Sequence, residues 1–224
     1  MSQGICIAID GPASSGKGTV ARRVARELDY AYVDTGAMYR SVGLVALERS
    51  VDLDDGPALG RLAADLRFRF SWTVGGLRVS VDGRDVSEDI RAEHVGNAAS
   101  AVATRPEVRT ALLGLQRALG ADGRVVMDGR DIGTVILPEA ELKVFLDASL
   151  DERARRRFQE LQARGLVSTL QSVREELAQR DAQDSGREVA PLMAAADAVV
   201  LDSTALAPEA VVETVLTLAR ARGA

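Results

Sequence analysis

The chain contains 224 residues, of which 46% are hydrophobic and 27% are charged, a composition typical of a globular domain with its own hydrophobic core. The net charge of −5 disfavours a nucleic acid polymer as the main partner, and because no run of 18 residues is apolar we expect no membrane span. Cys6 is the single cysteine, which excludes an internal disulfide, and the first residues lack the pattern of a signal peptide, so we expect a cytoplasmic protein.

A loop of small residues separates the first predicted strand from the first predicted helix. Residues 5–10, ICIAID, form a short apolar run typical of a buried parallel strand, and residues 17–28 place apolar side chains at helical spacing. A loop in this context turns its backbone N–H groups toward phosphate oxygens, and Lys17 neutralises the β- and γ-phosphates of a nucleotide. The predicted ATP phosphate site consists of Gly11, Pro12, Ala13, Ser14, Ser15, Gly16, Lys17, Gly18 and Thr19.

The end of this loop departs from the general phosphate-loop pattern. A hydroxyl residue usually follows the lysine and ligates Mg²⁺, whereas here Gly18 follows Lys17 and the hydroxyl comes one position later, at Thr19. The G-K-G-T form resembles nucleoside monophosphate kinases. We therefore expect Thr19 to contact the α-phosphate of ATP and the metal ion to be held through water.

Polar residues of mixed charge follow the second predicted strand, residues 30–34. The segment DTGAMYR, residues 34–40, leads into a predicted helix over 37–48 and offers a carboxylate, a hydroxyl, an aromatic ring and the guanidinium of Arg40. A segment that follows a parallel strand lies at the carboxyl edge of the sheet, where such folds bind ligands. These residues are therefore candidates for a second, acceptor site.

Residues 66–87 interrupt the alternation of strands and helices. Their polarity alternates with period two, and the pairs Gly75-Gly76 and Asp82-Gly83 stand where tight hairpin turns would form. This region predicts a small antiparallel sheet inserted into the core.

The second half of the chain returns to alternating strands and helices, which predicts an α/β fold with a parallel sheet flanked by helices. The predicted strands are residues 124–128, 142–147 and 198–202, and the predicted helices are residues 106–119, 151–163, 169–183 and 208–222. Two segments at strand or helix ends, MDGRDIGT (127–134) and RDAQDSGR (180–187), combine aspartates with arginines. Fixed cations of this kind suit a phosphorylated acceptor.

A cluster of arginines, ERARRR at 152–157, opens the helix predicted over 151–163, and Gly165 follows it. A short helical arm that carries these cations could close over the phosphates of ATP. Such closure excludes water, which limits wasteful hydrolysis of ATP. We therefore predict a lid over residues 151–165.

The remaining motifs narrow the class of phosphate-loop protein. Lys143, the only lysine besides Lys17, lies in LKVFLD, which does not fit the guanine-reading motif that a GTPase needs. Asp128 is followed by Gly129, whereas a motor or helicase ATPase usually has paired acids at this position. A small-molecule kinase remains, acting on a nucleotide or on another acceptor such as shikimate. A regulatory ATPase without an acceptor and a non-catalytic binding protein are the other classes, although Lys17 and Asp128 argue against the last.

Six segments in this order together resemble the bacterial cytidylate kinase family, and the resemblance covers nearly the whole chain. They are IDGPASSGKGTVA, DTGAMYR, NAASAVATRPEVR, DGRDIGTVILPEAELKVFLDAS, RDAQDSGREVAPL and ADAVVLDST. The resemblance implies the nucleoside monophosphate kinase fold, with a small antiparallel insert in the acceptor-nucleotide region and a short helical lid. It also implies phosphate transfer from ATP to CMP or dCMP with Mg²⁺, and a monomer.

The resemblance further implies roles for individual residues. Around the acceptor it implies Ser100, Arg109 and Asp131 at the cytosine base, Arg40, Arg130 and Arg187 near phosphates, Arg180 and Asp184 at the sugar hydroxyls, and Thr35 and Tyr39 beside the acceptor. For the transfer it implies Lys17, Asp128, Arg130 and Arg157 as catalytic residues, Arg153 and Arg156 as ATP-binding lid residues, and Asp128 as a metal-binding residue that acts through water. The implied regions are a core of residues 1–34, 110–150 and 166–224, a CMP-binding region of residues 35–109, and the lid.

Overall fold

The computed structural model describes residues 4–73 and 76–224 and divides the chain into two compact units. The first unit comprises the chain up to Val33 together with Leu119–Ala224, and the second comprises Asp34–Ala118. The second unit is therefore continuous in sequence, and two segments that flank it form the first. The division into a core, a CMP-binding region and a lid with the boundaries given above remains a prediction.

The regular elements follow one another along the chain as strands and helices of short to moderate length. The strands are β1 (Cys6–Asp10), β2 (Ala31–Asp34), β3 (Phe68–Thr73), β4 (Gly76–Val81), β5 (Arg84–Asp85), β6 (Val125–Gly129), β7 (Leu142–Asp147) and β8 (Val199–Asp202). The α-helices are α1 (Lys17–Leu28), α2 (Thr35–Glu48), α3 (Gly56–Asp65), α4 (Glu93–Val102), α5 (Pro106–Gly120), α6 (Leu150–Ala163), α7 (Leu170–Ser185) and α8 (Pro208–Arg220). Among the helices described, none is long and apolar enough to cross a membrane.

A five-stranded sheet with the order β2-β6-β1-β7-β8 forms the centre of the first unit. Strand β1 pairs in parallel with β6 and with β7, in a register that sets Asp10 opposite Gly129 and Phe145. Because β1 has a neighbour on each side, its apolar residues are buried, and Ile7 and Ile9 are fully covered. The predicted parallel sheet is confirmed, and the carboxyl end of β1 delivers the chain to the phosphate loop.

Helices of the first unit cover this sheet, as the apolar spacing of the sequence predicted. Val20 and Val24 of α1 are buried at helical spacing, and α1 packs against α8. Helix α6 packs against α7 through a small separate core that contains Ala154, Leu161 and Val173.

The second unit has its own hydrophobic core between its helices and a three-stranded antiparallel sheet. Met38 and Val42 of α2, Leu59 of α3 and Val95 of α4 are all fully covered in this core. The sheet has the order β3-β4-β5 and contributes Val79 to the core. This unit therefore has enough buried apolar surface to hold its helices in place.

The antiparallel sheet confirms the period-two interpretation of residues 66–87. In the β4–β5 hairpin, Val81 pairs with Arg84, and the two intervening residues have φ angles of 52° at Asp82 and 84° at Gly83. Left-handed conformations at both positions give the two-residue turn that an Asp-Gly pair favours. The other predicted turn includes Gly75, which lies outside the described residues.

The sequence pattern did not predict two helices of the second unit, α3 and α4. Helix α3 carries the expected start signals, because the side chain of Asp55 accepts a hydrogen bond from the Ala58 backbone at 2.9 Å and Pro57 stands in the first turn. Helix α4, EHVGNAASAV, consists mainly of small residues and so gives a weak pattern of large apolar side chains.

Candidate active site

The loop between β1 and α1 has the backbone conformation expected of a phosphate cradle. Gly11, Ser14 and Gly16 have φ angles of 153°, 60° and 93°, and such left-handed residues at close intervals turn neighbouring N–H groups toward one side. A Cβ on Gly11 would lie 2.1 Å from the carbonyl oxygen of Leu146, so only glycine fits there. Gly16 has no side chain with which to cap α1, which leaves the helix N-terminus to an anion.

Lys17 lies at the start of α1 and folds back over the loop. Its ammonium donates a hydrogen bond to the carbonyl oxygen of Pro12 at 3.0 Å, and the residue is only 8% exposed. A cation held beside the cradle in this way is positioned to neutralise the charge of bound phosphates.

Asp128 lies at the end of β6, next to the start of α1. A Cβ on Gly18 would lie 3.7 Å from one carboxylate oxygen of Asp128 and 3.5 Å from the hydroxyl of Tyr32. Among the residues that the structure describes, no group of three His, Cys, Asp or Glu side chains could hold a metal ion. A buried carboxylate beside a phosphate cradle fits Mg²⁺, because this ion keeps several waters and takes its other ligands from substrate phosphates.

Asp10, the last residue of β1, is a buried carboxylate that the sequence analysis did not select. Its two oxygens accept hydrogen bonds from the backbone N–H groups of Ile132 and Gly133, each at 2.8 Å. These residues begin a single π-helical turn, Ile132–Ile136, directly after Asp131. Burial raises the pKa of Asp10 to about 6, although the two N–H groups lower it. Asp10 thus fixes the backbone that follows Asp131.

The raised pKa of Asp10 predicts a distinct pH dependence of stability. Since the ordinary pKa is 3.8 and the folded value is about 6, the folded state keeps a proton through this window that the unfolded chain has lost. The free energy of unfolding should therefore fall as the pH rises from about 4 to about 7, by on the order of 2–3 kcal/mol from this group alone. Asp10→Asn removes this titrating group. The difference in the free energy of unfolding between wild type and variant, measured in urea, should therefore change by that amount over the same pH range.

An exposed acid supplies the control for this measurement. Asp29→Asn, which removes a fully exposed carboxylate, serves as the control for the loss of one negative charge. Parallel profiles for Asp10→Asn and the wild type would show that Asp10 titrates at its ordinary pKa.

Asp184, a buried carboxylate near the end of α7, is the centre of a cluster of charges. One of its oxygens accepts a hydrogen bond from Arg130 at 2.7 Å, and the other pairs with Arg187. Burial by itself raises the pKa of Asp184, but the guanidinium groups of Arg130, Arg187 and Arg180 lower it below its ordinary value. The structure thus brings together four residues predicted to bind the acceptor and shows Asp184 as the anchor of the arginines.

The predicted lid arginines of α6 have different environments. Arg153 is buried and pairs with Asp181 of α7 through both ends of its guanidinium, at 3.1 and 2.6 Å. Arg156 donates to the carbonyl oxygen and the hydroxyl of Ser203, at 2.6 and 3.1 Å. Arg157 pairs with Glu160 of its own helix at 2.9 Å. The hydrogen bonds of Arg153 and Arg156 thus reach segments outside α6, whereas the ion pair of Arg157 stays within the helix.

The second unit holds the other predicted acceptor residues. Asp34 caps α2 by accepting a hydrogen bond from Ala37 at 3.0 Å, and it pairs with Arg40 at 2.7 Å. The guanidinium carbon of Arg109 lies 5.7 Å from the centre of the Tyr39 ring. Thr35 and Ser100 belong to α2 and α4 of this unit, whereas Asp131 and the Asp184 cluster belong to the first unit.

Comparison with known proteins assigns the family. The family model described as cytidylate kinase matches residues 7–221. This chain belongs to the cytidylate kinase family. It is 52% identical to the cytidylate kinase of Exiguobacterium sibiricum, over 96% of both chains, and 51% identical to that of Geobacillus kaustophilus, over 99% of both chains. A solved structure of an uncharacterized protein from Eubacterium ventriosum shares the fold alone, with a TM-score of 0.52, 12% identity and coverage of 97% of this chain and 98% of that chain.

The match to the family model confirms the predicted family, and the order of the strands confirms the predicted fold. The structure adds Asp10, Asp181 and Ser203 to the residues around the phosphate loop. Each has a signal in the sequence: Asp10 directly precedes the loop, Asp181 follows Arg180, and Ser203 directly follows the last strand. None of these signals says which partner the side chain contacts.

Proposed function

We propose that the chain transfers the γ-phosphate of ATP to CMP or dCMP and forms ADP with CDP or dCDP. The observation that carries this proposal is the phosphate cradle between β1 and α1, with buried Lys17 at its mouth, in a chain of the cytidylate kinase family. Relatives about half identical over nearly the whole chain bear the name cytidylate kinase.

ATP is proposed to bind with its β- and γ-phosphates in the cradle formed by residues 11–19. The backbone N–H groups and Lys17 stabilise the charge that develops as the phosphoryl group moves, and Arg130 and Arg157 add fixed cations. Asp128 would hold Mg²⁺ through water, and the ion would supply further charge neutralisation on the phosphates. An acceptor phosphate oxygen is already deprotonated at neutral pH, so the transfer needs no dedicated general base.

The acceptor nucleotide is proposed to be read by groups of complementary chemistry. Cytosine carries an exocyclic amine, which donates a hydrogen bond to a carboxylate such as Asp131. Beside the amine lie ring acceptors, to which Arg109 and Ser100 donate. The remaining proposed contacts are Arg40, Arg130 and Arg187 with phosphate, Arg180 and Asp184 with the sugar, and Thr35 and Tyr39 beside the nucleotide. The clustering of Arg130, Asp184 and Arg187 supports a site for an anion with hydroxyl groups.

A coupled assay of ADP release tests the function. The protein is supplied with ATP and Mg²⁺ and with CMP, dCMP, UMP, AMP or no acceptor. Rapid release with CMP and dCMP alone supports the proposal. Release that does not depend on the acceptor identifies an ATPase instead, and release with AMP or UMP alone identifies a different nucleotide kinase.

Asp131→Ala should reduce the preference for CMP over UMP by about 10- to 100-fold in kcat/KM. Asp131 is 4% exposed, and its carboxylate would accept from the amine of cytosine but repel the carbonyl oxygen that uracil has at the same position. The measurement is the ratio of kcat/KM for the two acceptors. Asp122→Ala, which removes an exposed carboxylate, serves as the control and should leave the ratio unchanged. An unaltered ratio in Asp131→Ala would exclude this residue as the base reader.

We further infer that the active form is a monomer in the cytoplasm that acts on dissolved nucleotides, as the family resemblance implies. Light scattering during size exclusion, with and without nucleotide, measures the mass of the particle against the 23.8 kDa of one chain. A mass near two chains would contradict the monomer.

A further inference from the structure

Two arginines of α6 contact the phosphate loop from its carbonyl side. Arg153 donates from Nη1 to the carbonyl oxygen of Ala13, and Arg156 donates from Nη1 to that of Ser15, each at 3.3 Å. Arg153 and Arg156 are three residues apart and so lie on one face of the helix. Together with the contact from Lys17 to Pro12, these hydrogen bonds place cations on three carbonyl groups of the loop.

Two of these carbonyl groups, those of Ala13 and Ser15, belong to peptide units that lead directly into left-handed residues of the loop. The residue after Ala13 is Ser14, with φ of 60°, and the residue after Ser15 is Gly16, with φ of 93°. In a planar trans peptide the C=O of one residue and the N–H of the next point in opposite directions. A cation that fixes the carbonyl of Ala13 therefore fixes the direction in which the Ser14 N–H points, and Arg156 does the same for Gly16.

The guanidinium of Arg153 is almost fully used within the chain. Besides Ala13, its Nε donates to the carbonyl oxygen of Ala148 at 2.9 Å, and Nη1 and Nη2 donate to the two oxygens of Asp181. A guanidinium has five N–H donors, and these contacts occupy four of them. The side chain of Arg153 is only 6% exposed. Arg153 therefore has little capacity left to contact a nucleotide directly.

Apolar packing supports the same connection between helices α6 and α7 and the loop. Ala13 belongs to the small core that also contains Ala154 and Leu161 of α6 and Val173 and Leu177 of α7. Arg153 directly precedes Ala154 of this core and pairs with Asp181 of α7. A change in the packing of the two helices would thus act on the loop through Ala13.

We propose that Arg153, held by Asp181, is a positioning residue that orients the Ala13–Ser14 peptide of the phosphate loop and thereby sets the affinity for ATP without contacting it. The inference rests on the proposed function only in taking ATP as the ligand of the loop. It differs from the lid role that the family resemblance implies, in which Arg153 binds ATP itself.

The two interpretations predict different behaviour for Asp181. If Arg153 positions the loop, Asp181→Asn releases the guanidinium and should weaken ATP binding as much as Arg153→Gln does. If Arg153 contacts ATP directly, Asp181→Asn leaves the guanidinium available and should preserve or strengthen ATP binding.

The experiment measures ATP affinity by titration calorimetry and the backbone amide resonances of Ser14 and Gly16 in the nucleotide-free protein. Arg153→Gln and Asp181→Asn should each raise the Kd for ATP about tenfold or more and shift the Ser14 amide, while the KM for CMP changes less than about twofold. The double variant should bind ATP no more weakly than the single variant with the lower affinity, because both substitutions remove the same Arg153–Asp181 interaction. Arg155→Gln, which removes an exposed guanidinium from the same helix, should leave both measurements unchanged.

Two results would overturn the proposal. One is weakened ATP binding in Arg153→Gln with normal binding in Asp181→Asn, and the other is a Kd within about twofold of the wild type in both variants. Should Arg153→Gln fail to fold, Arg153→Lys keeps the charge but cannot span Asp181 and Ala13, so it should show the same loss. ATP binding and amide shifts need no acceptor, so a failure of CMP phosphorylation would refute the proposed function and leave this inference standing.

Discussion

Replacing Lys17 with alanine is expected to lower CMP-dependent ADP release by about 10³-fold or more while the protein remains folded. The ammonium of Lys17 lies at the cradle, where it contacts the carbonyl oxygen of Pro12, and the side chain is nearly buried. In such a site a fixed charge stabilises the transition state more strongly than it would in water, because little solvent screens it. Turnover under saturating ATP and CMP measures the loss.

The control for this prediction removes a cation from the exposed side of the same helix. Arg26 of α1 pairs with Glu27 at the surface, so Arg26→Ala should leave turnover within about twofold of the wild type. Circular dichroism and the midpoint of urea unfolding should be close to wild type for both variants. Near-normal turnover in folded Lys17→Ala would contradict the assignment of the loop as the phosphoryl-transfer site.

Replacing Asp184 with asparagine is expected to destabilise the fold by about 3 kcal/mol or more at neutral pH. The carboxylate lies between Arg130 and Arg187, whose side chains are 16% and 7% exposed, while that of Asp184 is 3% exposed. Removing the anion leaves two largely covered cations without this compensating charge, which costs more than the pair contributes when intact. The free energy of unfolding in urea measures the change.

The pH dependence of this effect follows from the lowered pKa of Asp184. Because the folded pKa lies below the ordinary value of 3.8, the stabilisation is complete above that value and is lost as the pH falls through the folded pKa. Wild type and Asp184→Asn should therefore differ most at neutral pH and converge in acid. Asp10 has the opposite sign, since its contribution is most favourable at low pH, but it is present in both proteins and cancels in the comparison.

An exposed acid that also pairs with an arginine provides the matched control for Asp184. Asp151 contacts Arg174 at 2.7 Å, but its side chain is 79% exposed, so Asp151→Asn should change stability by less than about 1 kcal/mol. Equal effects of the two substitutions would show that burial does not determine the importance of the Asp184 cluster.

In the kinetic assay, Asp184→Asn should raise the KM for CMP more than the KM for ATP, because Arg130 and Arg187 lose their anchor.

The antiparallel sheet of the second unit illustrates a feature that local sequence predicts well. Alternating polarity and the Asp82-Gly83 pair are properties of neighbouring residues, and a two-residue turn depends on little else. Helix α4 was missed for the opposite reason, because its small residues gain their burial from the elements that pack on them and not from a pattern of large side chains.

The arginine cluster of α6 illustrates what the sequence leaves open. The segment ERARRR identifies a helix face rich in cations but does not distinguish the arginines within it. In the fold, Arg155 pairs with Glu152 at the surface, whereas Arg153 is buried against Asp181. The packing of Leu161 against Val173 and Leu177 of α7 fixes which face of α6 turns inward.

By itself, the sequence determined the family, the α/β class and the position of the phosphate loop. The loop is predictable because its conformation depends on a strand, a run of small residues and a helix, all within about a dozen neighbouring positions. Only the tertiary structure decided that Asp10 fixes the turn after Asp131 and that Arg153 holds the loop. The reason is physical: the partners of these side chains lie 122 and 140 residues away along the chain, and burial between distant segments sets both their hydrogen bonds and the pKa of Asp10.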